Sequence, residues 1–87
     1  MGIVHVIQES VRECRSVAFD AHAVRRMQER SVSEDDVLDV LRQPDETDLR
    51  AHPGRVYFRK QFGTDKIVDV IFEEDPTQIV VISMIRK

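Results

Sequence analysis

The eleven residues from Asp20 to Arg30, DAHAVRRMQER, hold one histidine and three arginines. If the stretch is helical, His22, Arg26 and Arg30 fall at i, i+4 and i+8 and share one stripe about 80° wide. That stripe runs beside the apolar positions Ala23 and Met27, so it sits at the rim of a core. Histidine exchanges a proton near neutral pH, and arginine grips phosphate through parallel N–H donors. These are the parts that metal-independent RNA cleavage needs. A base activates the ribose 2′-OH, cations stabilise the charged phosphorane, and an acid protonates the leaving oxygen. Spacing alone leaves a plainer reading open. The arginines could pair with acids of the following SEDD segment, and His22 could bond a backbone carbonyl.

Further along, Tyr57 and Arg59 share one face of an expected strand, which makes Tyr57 a candidate acid or phosphate contact. Arg59 and Lys60 are candidate phosphate-binding cations. Asp69 and Ser83 interrupt otherwise apolar strand faces, and Ser83 could supply a hydroxyl. Metal chemistry is not expected: His5, His22 and His52 lack ligand spacing, and Cys14 is the single cysteine. With three glycines there is no phosphate-cradling loop, and no G-x-S-x-G segment marks a hydrolase nucleophile. No cofactor is implied.

The formal net charge of −3 argues against coating nucleic acid by charge alone. The charges are segregated, however. Residues 34–48 hold seven acids and one base, whereas residues 50–60 hold Arg50, Arg55, Arg59 and Lys60 and no acid. Its 87 residues suit one small domain spanning 1–87. No apolar run reaches the roughly 18 residues of a membrane span. The N-terminal MGIVHVIQES has no basic region ahead of a long apolar core, so no signal peptide is expected. A single cysteine suits a reducing cytoplasm.

The elements that must position these residues follow from periodicity. Ile3, Ile7, Val11 and Cys14 fall at helical spacing and predict a first helix over 3–15, although IVHVI alone would also suit a strand. SVAF then reads as a short connection to Asp20, an N-cap for a helix over 21–30. Ser33 caps a third helix over 34–43, with Asp36 three residues on and Pro44 as its stop. The pattern then alternates, predicting strands near 56–62, 66–73 and 78–86, with ETDLRA as a possible edge strand. The expectation is an α+β domain: N-terminal helices, then an antiparallel sheet of three or four strands. Both faces of the later strands are apolar, with Val68, Val70 and Phe72 on one and Ile67 and Ile71 on the other. A helical layer covers one face, so a homodimer partner could cover the second.

The segment DAHAVRRMQERSVSEDDVLDVLRQPDE resembles the motif S-x-H-A-x-x-R-M-x-x-R-G-I-S-x-x-D-V-x-x-x-L-x-x-P of the domain-of-unknown-function family 4258. The likeness extends over nearly the whole chain. His22, Arg26, Met27, Arg30, Ser33 and Val37 match the motif. The family's glycine after the last arginine is Ser31 here, and the Thr and Tyr of its final strand are Ser83 and Ile85. The resemblance implies a RelE-like toxin fold of the barnase–EndoU–colicin–RelE group, whose members are largely metal-independent RNases. It thus implies an RNase-type toxin with an RNA substrate and a cognate antitoxin. His22 would be base or acid, Arg26, Arg30 and Arg59 would hold phosphate, and Tyr57 and Ser83 would assist. The alternative is a non-catalytic binding or homodimeric module that keeps the fold without activity, a reading favoured by Ile85 where a phenol is usual.

Overall fold

The structure, a computed structural model, describes residues 2–11, 16–47, 54–74 and 76–87. Two strands come first, β1 (Ile3–Ile7) and β2 (Ser16–Asp20), then helices α1 (Ala21–Arg30) and α2 (Glu34–Arg42). Strands β3 (Glu46–Thr47), β4 (Val56–Phe62), β5 (Lys66–Glu74) and β6 (Gln78–Arg86) complete the chain. All six strands join one sheet in the order β1-β2-β6-β5-β4-β3. Neighbours are antiparallel except β2 and β6, which run parallel.

Two expectations fall here. No helix spans 3–15: residues 3–7 and 16–20 are strands instead. The sheet is not an antiparallel set of three or four strands but a six-stranded mixed one, so the α+β order of helices before strands, and the RelE-like arrangement built on it, do not hold. The reason lies in β2. Val17, Ala18 and Phe19 of β2, which runs between β1 and β6, are all fully buried, so residues on both its faces are shielded from water. A strand buried on both faces shows a short continuous apolar run and no alternation. SVAF therefore reads as a connection until its partners are known. Cys14, which supported the helical spacing, lies outside the described residues, as do His52 and Arg50.

Both helices pack on one face of the sheet, α1 over β6 and β2, α2 over β5 and β4. Between the layers a single cluster gathers Val17, Phe19, Ala23, Val37, Val40 and Leu41 with Phe58, Val70, Phe72, Ile79, Val81 and Met84. Local sequence explains the helices well. Asp20 caps α1 by accepting from the Ala23 N–H at 2.8 Å. Ser33 and Asp36 form a reciprocal capping box at the start of α2, whose first turn carries three acids against the positive helix end. The β4–β5 hairpin turns through Gly63 at φ 68°, a conformation open to glycine without steric cost.

Ser31 stops α1 in the left-handed region, at φ 54° and ψ 48°, with its N–H donating to the Met27 carbonyl. A side chain pays about 1–2 kcal/mol for that conformation, which glycine escapes. Ser31→Gly is therefore expected to stabilise the fold by about 1 kcal/mol. Urea unfolding should show a raised midpoint with an unchanged slope; a lowered midpoint would mean the serine side chain compensates for its backbone.

A second expected result concerns Asp36, where α2 meets the sheet. Burial disfavours its charged form. The Lys66 ammonium at 2.6 Å and the Ser33 N–H and hydroxyl outweigh this and hold the carboxyl below its ordinary value. A depressed folded-state pKa means the unfolded chain binds the proton more readily. The contribution is thus complete above the unfolded value, near 3.8, and is lost as pH falls through the lower folded one. Asp36→Asn should destabilise at neutral pH, and the gap from wild type should narrow as unfolding is repeated in increasingly acid buffer. A gap independent of pH would assign the effect to capping alone.

Candidate functional site

The helix α1 leaves the sheet at the end of β2, and this departure makes the site. β2 pairs with β6 only over Gln78–Val81. Beyond Val81, β6 runs on beside α1 with that edge unpaired by a strand. The notch opens into a groove of about 650 Å³ lined by Asp20, His22, Arg26, Arg30, Arg55, Tyr57 and Ser83, with a floor that includes Ile71, Ile82 and Ile85. His22, Arg26, Arg30, Tyr57 and Ser83 come from one helix and two strands, so the fold gathers residues up to 61 positions apart.

Ser83 reaches the groove because of a bulge. Ile71 of β5 faces Ser83, but the next residue, Phe72, faces Val81, so Ile82 is an extra residue in β6. Ile79 and Val81 point into the helix-side core, and so does Met84. An unbroken strand would place Ser83 with Ile79 and Val81; the inserted residue reverses the alternation and turns Ser83 and Ile85 to the groove side.

Within the groove the Arg26 Nε–H donates to His22 Nε2 at 3.3 Å, and Arg26 Nη1 also donates to Glu29 at 2.8 Å. The first bond engages the Nε2 lone pair of the ring as its acceptor. Arg30 is half-buried, and its Nε–H is buried without a hydrogen-bond partner among the described residues. Arg86 donates to the Arg30 carbonyl at 3.1 Å, placing a cation at the negative end of α1. No acid of α2 pairs with His22, Arg26 or Arg30 among the described residues; Glu34 pairs with His5 and Asp36 with Lys66 instead. The two acids in the groove are engaged. Asp20 caps α1, and Glu73 stands 3.7 Å from Arg55. The lining carries three arginines against these two carboxylates, a local excess of one positive charge, although the chain as a whole is −3.

Arg59 and Lys60 are not brought to this groove. Arg59 donates from Nε and Nη2 to both oxygens of Asp69, at 2.6 and 3.0 Å, and from Nη1 to Glu46 at 3.3 Å. Asp69 is a buried carboxylate, and its hydrogen bond pushes the Arg59 guanidinium pKa further up. This is a structural pair: removing either partner strands a charge. Lys60 donates to the Gln43 carbonyl at 2.9 Å, tying β4 to the end of α2. Sequence reasoning missed Arg55 and Glu73 in the groove, and Ile82 as the bulge. Arg55 stood only as one base in a basic run, and the bulge has no signal in VVISM. Among the described residues no three of His, Cys, Asp and Glu stand together as metal ligands, and no helix is long and apolar enough to cross a membrane.

Fold and groove define a class: a two-layer domain with a six-stranded mixed sheet, two helices on one face, and a cationic cleft where the first helix leaves the sheet. The chain belongs to the family described as Domain of unknown function (DUF4258), whose model matches residues 19–86. The match begins at Phe19, so it takes in α1, α2 and every groove residue named above but leaves out β1. Neither the curated proteins nor the solved structures give a significant match.

Proposed function

We propose that the groove is a metal-independent RNA-cleaving site and that the protein is an RNase-type toxin whose groove a cognate antitoxin would cover. The observation that carries this reading is the contact between Arg26 and His22 Nε2, beside Arg30, whose Nε–H has no hydrogen-bond partner among the described residues. In the free protein Arg26 occupies the lone pair that a base must use. A scissile phosphate offers Arg26 a stronger, charge-assisted acceptor, and drawing the guanidinium away releases Nε2 toward the adjacent 2′-OH. Arg30 takes a second phosphate oxygen. Positive charge then faces the phosphorane as its negative charge grows. Tyr57 and Ser83 stand across the cleft on the sheet, where a hydroxyl can donate to the leaving oxygen or to phosphate. Apolar Ile71, Ile82 and Ile85 offer a surface for a base and help exclude water.

One observation favours the binding-module alternative: Ile85 lines the groove, at the position where the resemblance implies a tyrosine in the family's final strand. The two readings part on one experiment. Purified protein is incubated with structured and single-stranded RNAs in excess EDTA, following both binding and chain scission. Cleavage with 2′,3′-cyclic phosphate ends supports the RNase reading. Binding without scission across all RNAs moves the conclusion to the non-catalytic module.

A further inference from the structure

The groove floor contains a row of side chains laid across the sheet. Tyr57 of β4 pairs with Ile71 of β5, and Ile71 pairs with Ser83 of β6. Residues directly opposite on neighbouring strands point to the same face, so the three form a ladder. All three line the groove that His22, Arg26 and Arg30 wall on the α1 side. Their order in the row matters. Ser83 lies on β6, the strand beside α1. Neighbouring strands are about 4.8 Å apart, so β4 carries Tyr57 about 10 Å beyond β6. A phosphate held by Arg26 and Arg30 meets the Ser83 hydroxyl first, and the phenol ring lies further along the row.

Tyr57 is half-buried, with Ile71 beside it across the strand pair. Arg55, two residues earlier, lines the same groove. Its pairing with Glu73, at 3.7 Å between two exposed side chains, is weak and can yield to a phosphate. The ring therefore stands between arginines on α1 and an arginine at the start of β4. That is the composition of a platform for a nucleic-acid strand: cations hold the backbone, and the ring takes the face of a base. In a duplex the bases are paired and stacked on one another, so the strand that can lay a base on the ring is single.

We infer that Tyr57 is a stacking platform for a base of single-stranded RNA, next along the strand from the phosphate that Arg26 and Arg30 hold. The inference rests on the proposed function for its ligand, an RNA, and not on the cleavage of that ligand. It gives Tyr57 a role through its ring and leaves Ser83 as the hydroxyl nearer the phosphate. The chain has one tyrosine and no tryptophan, so its intrinsic fluorescence reports on Tyr57 alone.

The probe is a short single-stranded 2′-O-methyl oligoribonucleotide, which has no free 2′-OH to attack its own phosphate. Its binding to the whole chain should quench the tyrosine emission, after correction for absorption by the bases. The same backbone without bases should bind and leave the emission unchanged. Tyr57→Ala should weaken binding of the base-bearing probe about tenfold. The salt slope should stay as in wild type, because stacking releases no counterion. Tyr57→Phe keeps the ring and should recover most of the loss. Tyr57→Ala should bind the baseless backbone as wild type does, which reports an intact arginine wall. Equal binding of the base-bearing probe by wild type and Tyr57→Ala overturns the inference. So does a loss in Tyr57→Phe as large as in Tyr57→Ala, which assigns the effect to the hydroxyl. An equal loss on the baseless backbone overturns it too, since the ring would then support the wall instead of a base, and so does a duplex that quenches as strongly as the single strand. Scission of unmodified RNA is followed separately. Its absence beside Tyr57-dependent binding ends the RNase reading and keeps the platform. Scission beside binding that ignores Tyr57→Ala does the reverse, and no binding of this probe or of unmodified RNA ends both.

Discussion

His22→Ala is expected to slow RNA cleavage by about 10²–10⁴-fold while leaving the fold intact, the range for loss of a positioned general base. His22 is partly buried at the first turn of α1 but is not one of the residues of the hydrophobic core, so the unfolding midpoint should move little. Arg26→Ala gives the informative comparison. It removes a phosphate ligand and also frees the Nε2 lone pair. RNA binding should therefore weaken more than the chemical step, appearing mainly in KM. The salt slope of binding should fall by about one counterion. Activity should persist in EDTA in every case. Cleavage by His22→Ala at the wild-type rate would remove this residue from the mechanism. Arg26→Ala with unchanged binding would remove the phosphate role.

The largest stability effect is expected at Phe72→Ala, a loss of about 3–5 kcal/mol. Phe72 is fully buried in β5. Its ring meets Phe58 of β4 edge-on, with centroids 5.0 Å apart and planes at 81°, a geometry that adds to simple burial. Domains of this size are stable by about 5–15 kcal/mol in all, so the variant should lose a large part of its stability. Chemical denaturation of the two proteins measures the difference. A loss below about 1 kcal/mol would mean that the layer between helices and sheet closes over the missing ring.

Several features were legible in the sequence because they are local. Caps decide where helices start, and Asp20 and Ser33 were readable as caps from single residues and their neighbours. Alternation decides strands with one face against a core, so the stretches at 56–62, 66–73 and 78–86 match β4, β5 and β6 closely. The i, i+4, i+8 spacing was enough to put His22, Arg26 and Arg30 on one stripe, since helix geometry alone places them there. The family motif is a string of such local requirements.

What escaped depends on partners distant in the chain. The five residues of β1 fit a strand or a helix equally, and pairing with β2 decides between them. β2 has no period because residues on both its faces are buried, and its parallel pairing with β6 joins residues 62 positions apart. Arg59 looked like a phosphate ligand until β5 placed Asp69 against it. Ser83 stood in an apolar run with no sign of which face it would take. The bulge at Ile82 chose that face and turned it toward Tyr57 and the arginines. The sequence by itself determined the helix caps, the alternating strands and the chemistry carried on one face of α1, because each depends on neighbours within a turn or two. Only the tertiary structure decided strand order, register and the wall opposite His22, because a sheet is held by hydrogen bonds between segments whose choice of partner is written in none of them alone.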